Sequence, residues 1–175
     1  MCNEWNTNAQ GQKFVASYSG GKDSSLALYQ AMQMGEAVAL IVMLEEQGLK
    51  SRSHGMSLDI IHAQAKAIGL PIFTASATWQ DYESHFIQLL QKAQILGAET
   101  LVTGDIDLMA HAEWNQSVCD KSQLSLCMPL WQRPRLDIVQ EFISLGFQSI
   151  IVTVNLNLGM KIEDLGQILT LDYIQ

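Results

Sequence analysis

The chain has 175 residues, 48% of them hydrophobic, and ten basic against eighteen acidic side chains give a formal net charge of −8. That length suits one α/β domain with at most a small appendage; no apolar run approaches the ~20 residues of a membrane span, and the acidic balance disfavours a nucleic-acid partner. Cys2, Cys119 and Cys127 form no C-x-x-C pair, which argues against a disulfide framework, a structural zinc site or a sulfur relay, and they read as small buried hydrophobes.

Residues 1–12 form a polar tail without the apolar stretch of a signal peptide, so a cytoplasmic protein is expected. Lys13 to Tyr18 reads as a first strand, and Leu26 to Met34 as a helix ended by Gly35. Ala37 to Leu44 is an unbroken apolar run, the pattern of a parallel strand covered on both faces. Leu58, Ile61, Ala65 and Ile68 recur at helical spacing until Gly69 and Pro71 stop the helix. Ile72 to Ala75 is a third strand, Phe86 to Leu96 a helix closed by Gly97, and Thr100 to Thr103 a fourth strand. His111 to Ser122 reads as helical, Leu124 to Met128 as a short fifth strand, and Arg135 to Leu145 as a helix ended by Gly146. Ser149 to Val154 is the last strand. The alternation predicts a doubly wound, mostly parallel sheet with helices on both faces, a Rossmann-like α/β fold.

Ligands of such sheets gather beyond the carboxyl ends of the strands, and three polar clusters fall there. The first is Ser19-Gly20-Gly21-Lys22-Asp23-Ser24, between the first strand and its helix. A glycine pair brings backbone N–H groups close to a ligand, and the helix start adds a positive dipole end, so the turn suits phosphate. Ser19, Ser24 and Ser25 add hydroxyls and Lys22 a charge. The turn is not a Walker A loop, because Ala16 stands where the first glycine belongs and Asp23 follows the lysine. The G-x-G-x-x-G fingerprint is absent as well.

The second cluster, Glu45 to Gly55, contains His54, whose neighbours Arg52, Ser53 and Gly55 make it either an anion-contacting residue or an incidental surface histidine. The third is Gly104 to Asp107, where Gly104 permits close approach of a nucleotide. Asp105 or Asp107, shared with Asp23, are candidate Mg²⁺ ligands; a T-G-D turn that merely caps the next helix is the alternative. His111 follows Asp107 by four residues, the spacing of one helix face if that turn is already helical. Trp131 either stacks on a base or packs at a domain junction, and Arg133 is a candidate phosphate or acyl-adenylate contact. Met32, Met34 and Met43 read as core residues rather than cofactor contacts.

Several segments together resemble one family. Ser19 to Ser24 resembles the pyrophosphate loop of the PP-loop ATP pyrophosphatases, and Arg52-Ser53-His54-Gly55 an R-x-H-G segment. Ala65 to Pro71 is similar to an A-x-A-I-G-L-P helix end, with G-D-I at Gly104-Asp105-Ile106 and P-L-W at Pro129-Leu130-Trp131. Gly146-Phe147 with Ile150-Ile151-Val152 resembles a G-F-x-x-I-I-V segment. The set is similar to the diphthine–ammonia ligase family, in particular its bacterial branch. The resemblance implies a PP-loop nucleotide-binding domain over 13–128 and the start of a substrate region over 129–175. It implies adenylation of a small-molecule or protein carboxylate by ATP with Mg²⁺, then attack of ammonia to give an amide. Lys22, Asp23 and Asp105 are then the catalytic candidates, and Ser19, Gly20, Gly21, Lys22, Asp23, Ser24, Met43, His54 and Gly104 surround ATP. His111, Trp131 and Arg133 face the substrate. Bacterial relatives have no diphthamide, so the acceptor is open, as is self-association. A non-catalytic nucleotide-binding module and a tRNA-modifying PP-loop enzyme are the alternatives. Family members usually continue into a G-E-x-G-E-[FY]-H-T segment. Leu165-Gly166-Gln167 resembles the L-G-R before it, and the sequence stops at Gln175 in what reads as mid-helix. A truncated chain that binds ATP without turnover is therefore expected.

Overall fold

The computed structural model describes residues 9–174; residues 1–8, with Cys2 and most of the polar tail, and Gln175 lie outside the described residues. The chain divides into two compact units, the first ending at Gln132 and the second starting at Arg133. No helix among the described residues is long and apolar enough to cross a membrane.

The first unit is built from β1 (Lys13–Ser17), α1 (Lys22–Met32), β2 (Glu36–Leu44), α2 (Leu58–Ile68), β3 (Ile72–Ser76), α3 (Tyr82–Ile95), β4 (Thr100–Val102), α4 (Met109–Ser122) and β5 (Ser125–Cys127). The five strands form one sheet in the order β3-β2-β1-β4-β5, and every pairing is parallel. Side chains alternate between the faces of a strand. Val15, Ile41, Met43 and Leu101 point to one face and join Phe86, Leu89, Leu90 and Ala93 of α3 with Ala112, Val118 and Cys119 of α4 in one buried cluster. Their neighbours Phe14, Ala16, Leu40, Val42 and Val102 point to the other face and are buried as well. Helix α1 packs on β1, β2 and β4, and its Leu26 and Ala27 are buried. Both faces are therefore covered, which is why β2 reads as a continuous apolar run. The fold is a doubly wound α/β sheet.

Local chemistry explains most boundaries. Gly69 ends α2 in the left-handed region, at φ 83°, with its N–H on Ala65 and Lys66 carbonyls. Helix α1 differs from the sequence expectation at both ends. It starts at Lys22 rather than Leu26, so Lys22, Asp23 and Ser24 lie in its first turn. It ends at Met32 with Gln33 as cap, and Gly35 is not a helix cap. A Cβ on Gly35 would lie 2.4 Å from the Gln12 carbonyl oxygen and 2.6 Å from that of Ala9. Glycine is there for backbone approach.

Cys119 and Cys127 are fully buried, and burial pushes their thiols up to about 12 and about 11. The thiolate is the reactive form. Neither is expected to react with iodoacetamide at pH 8 in the native protein, and both in urea; peptide mass mapping would check it.

The second unit contains α5 (Arg135–Ser144) and three 3-10 turns, Leu156–Leu158, Ile162–Asp164 and Leu171–Ile174. Phe142 stacks on Phe147 with ring centroids 5.0 Å apart. The strand expected over 149–154 is not a member of the parallel sheet. Its backbone pairs antiparallel with 166–169: the Leu169 N–H donates to Ser149 O (2.8 Å), the Ile151 N–H to Gln167 O (2.9 Å) and the Gly166 N–H to Ile151 O (2.9 Å). Branched residues such as Ile150 and Val152 favour extended backbone but do not choose its partner, and both are exposed here.

Candidate nucleotide-binding site

β1, β2 and β4 run parallel, so the segments that leave them emerge on one edge. The β1–α1 turn is closed by its own hydrogen bonds. The Ser19 hydroxyl donates to Ser24 Oγ (3.0 Å), Ser24 Oγ donates to the Gly21 carbonyl (3.1 Å), and the Gly21 N–H donates to Ser19 Oγ (3.4 Å). Gly20 sits at φ +77°, a conformation that glycine adopts without steric cost. Gly21 is the α1 N-cap and brings no side chain to the helix start. The first turn is thus an array of N–H groups aligned with the positive end of the helix dipole. Lys22 Nζ lies 2.6 Å from Asp23 Oδ1, so the one cation of the loop is already paired.

The opposite wall is the end of β4. Gly104 lies against the first turn of α1: a Cβ there would stand 2.8 Å from Asp23 C, 2.8 Å from Ser24 N and 2.9 Å from Asp23 O. Glycine at 104 is required by the protein's own backbone, where the sequence had pointed to nucleotide approach. Asp105 is the most constrained side chain at this wall. Its Oδ2 accepts from Thr103 Oγ1 (2.8 Å) and Asn115 Nδ2 (2.8 Å), and its Oδ1 lies 2.9 Å from His111 Nδ1. Thr103 and Asn115 are 3% and 4% exposed, whereas the His111 side chain is 60% exposed.

The expected Asp107–His111 helix face is not formed. α4 begins at Met109, Asp107 lies before it, and His111 turns to Asp105. Nor do Asp23, Asp105 and Asp107 form a metal cluster: among the described residues no group of three or more His, Cys, Asp or Glu is placed to hold an ion. Met43 is buried in the cluster beneath α3 and α4. Trp131 belongs to the same cluster and is 2% exposed, so it has no ring face to offer a base. Arg133 belongs to the second unit, where its Nη2 lies 2.5 Å from Glu141 Oε2.

The β2–α2 loop covers the turn. His54 Nε2 lies 3.2 Å from Ser19 Oγ, and Gln64 Nε2 donates to the Gly20 carbonyl at 3.5 Å. Arg52, from the same loop, turns away: its Nη2 donates to the Ala77 carbonyl, and its Cζ lies 4.4 Å from the Trp79 ring centroid. Trp79, Tyr82, Phe86 and Trp114 continue this contact as a row of stacked and tilted rings. Burial first, and the charge of Asp105, raise the Tyr82 phenol above its ordinary range against the opposing pull of Arg52. Asn115, Gln64 and this aromatic row escaped the sequence reading. The i, i+4 spacing of His111 and Asn115 on α4 is the one signal that could have disclosed Asn115.

A serine- and glycine-lined turn at a helix start, facing a carboxylate wall across adjacent parallel strands, defines an α/β domain of the PP-loop type. The family described as "Diphthamide synthase N-terminal domain" matches residues 12–126, and the chain belongs to that family. Domains of this type generally bind ATP, usually with Mg²⁺. No curated protein matches the chain. Among solved structures it is similar to a predicted subunit of tRNA methyltransferase from Methanocaldococcus jannaschii DSM, with 17% identity over 76% of each chain and a TM-score of 0.48.

Proposed function

We propose that this protein binds ATP at the β1–α1 turn and cleaves it to AMP and pyrophosphate while adenylating a carboxylate for amide formation with ammonia, as a diphthine–ammonia ligase-like enzyme. The observation that carries the reading is the open first turn of α1 behind Ser19-Gly20-Gly21, set against Gly104-Asp105. The loop amides and Lys22 would hold the departing pyrophosphate, where negative charge develops. A Mg²⁺ ion arriving with the nucleotide takes most of its oxygens from phosphate and water, and Asp105 is the carboxylate we assign to it. The ion would supply further charge neutralisation at the phosphates. A carboxylate is a poor acyl donor until AMP is attached as a leaving group, and ammonia then accepts the acyl group as AMP departs, which is the chemical reason for the adenylation.

Labelled ATP, incubated with ammonium, a panel of candidate carboxylates and a protein that continues into the G-E-x-G-E-[FY]-H-T segment, should yield AMP and pyrophosphate, separated by thin-layer chromatography. Lys22→Ala is expected to lower that yield by roughly 10²–10³-fold, the usual effect of removing one charge-stabilising donor. ADP as the product would overturn the pyrophosphatase reading. Tight binding of ATP without cleavage under every acceptor would favour a nucleotide-binding module.

A further inference from the structure

The phosphate cradle is short of positive charge. Lys22 is its only cation among the described residues, and Asp23 neutralises it at 2.6 Å. Arg52 is held against Ala77 and Trp79. Gln64, the α2 side chain at the turn, is uncharged. A pyrophosphate group would meet a turn of no net charge, faced by the Asp105 carboxylate, in a chain of net charge −8. One neutral titratable group is already in place. A Cβ on Gly21 would lie 2.4 Å from His54 Nε2, so the imidazole rests directly on the glycine turn.

The hydrogen bonds fix the tautomer. Ser19 has one hydroxyl proton, and it goes to Ser24 Oγ. The contact between His54 and Ser19 Oγ therefore has Nε2–H as its donor. Nδ1 is left as the nitrogen that can take a further proton, without disturbing the bond that seats the ring.

We propose that His54 is a proton-linked phosphate ligand: the arrival of a phosphate or pyrophosphate group on Gly20-Gly21 recruits a proton to His54 Nδ1, and the resulting imidazolium supplies the second cation of the cradle. The inference rests on the reading of the β1–α1 turn as a phosphate site. The charged groups facing the ring are Asp23 and Lys22, both on α1. In the free protein, burial of the ring tip is the largest influence on His54 and lowers its pKa; Asp23 opposes this and Lys22 adds to it. The free ring is thus neutral at pH 7. An anion raises its pKa, so proton uptake on binding occurs at the pH values between the free and the bound midpoints.

NMR of the ring Cε1–H signals, with His54 assigned through His54→Gln, tests this with inorganic pyrophosphate as the probe. Saturating pyrophosphate should raise the His54 midpoint by about one unit or more, equivalent to roughly tenfold tighter binding by the protonated form. The amide signals of Gly20 and Gly21 should move in the same titration. Movement of those amides with an unchanged His54 midpoint would overturn the role of His54 and leave the phosphate site standing. If the amides do not move either, the phosphate reading of the turn falls with it.

Discussion

Gly104→Ala should destabilise the protein by about 1–3 kcal/mol, the cost of overpacking a closed contact, and should weaken ATP binding at the same time. The added methyl would stand 2.8 Å from backbone atoms of Asp23 and Ser24, and backbone in the first turn of a helix cannot swing aside as a side chain can. Either β4 or α1 must shift. The shift would misplace the N–H groups of the proposed phosphate turn. Urea denaturation would give the stability change, expected with an unaltered slope. Calorimetry with ATP would give the affinity, expected to fall at least about tenfold, or 1.4 kcal/mol. Gly20→Ala is a useful contrast. There the close atoms are Met56 Cε at 2.2 Å and Gln64 Oε1 at 2.6 Å, both ends of flexible side chains, so the cost comes mainly from the left-handed φ of +77°. That strain is worth about 1–2 kcal/mol. A Gly104→Ala protein of unchanged stability and affinity would refute the close contact between β4 and α1.

Asp105→Ala should cost about 2–4 kcal/mol of stability. The carboxylate is the shared acceptor for Thr103 and Asn115, both buried, and its loss leaves two donors without that partner. Each buried donor so stranded costs about 1–3 kcal/mol. His111 would lose its contact with Asp105 but is exposed, so it adds little. Asp105→Asn fills the same space and keeps one oxygen acceptor, so the loss should be about half as large. Thermal or urea unfolding of the pair measures the difference. Equal losses in the two variants would mean that the shape and single acceptor kept by asparagine contribute nothing, which would overturn the assignment of the loss to the Thr103 and Asn115 donors. In the ATP assay both substitutions should lower AMP formation, because the negative charge itself is assigned to the metal-bearing nucleotide.

The β1–α1 turn was legible from residues alone. Two glycines, three serines, a lysine and an aspartate on one strand-to-helix turn have no folding reason to gather there. The strand order of events was legible too, because an apolar run such as Ala37 to Leu44 and a helical period such as Leu58, Ile61, Ala65, Ile68 have different repeats. Asn115 was not legible. An asparagine in a helix is ordinary, and only its burial beside Thr103 and Asp105 makes it a fixed donor. Trp131 shows the converse: an aromatic beside a ligand edge in sequence turned out to be part of the core.

Sequence periodicity and turn chemistry, which depend only on neighbours along the chain, determined the α/β order, the Gly69 helix stop and the phosphate-suited loop. The tertiary structure decided what distance along the chain hides. It set His111 on Asp105 instead of Asp107, Gly104 against the backbone of Asp23 and Ser24, and 149–151 beside 166–169 in place of the parallel sheet. It also laid His54, more than thirty residues from Ser19, on the glycine turn. These pairings follow from which surfaces remain to be covered once the sheet has formed, and a local pattern carries no record of that.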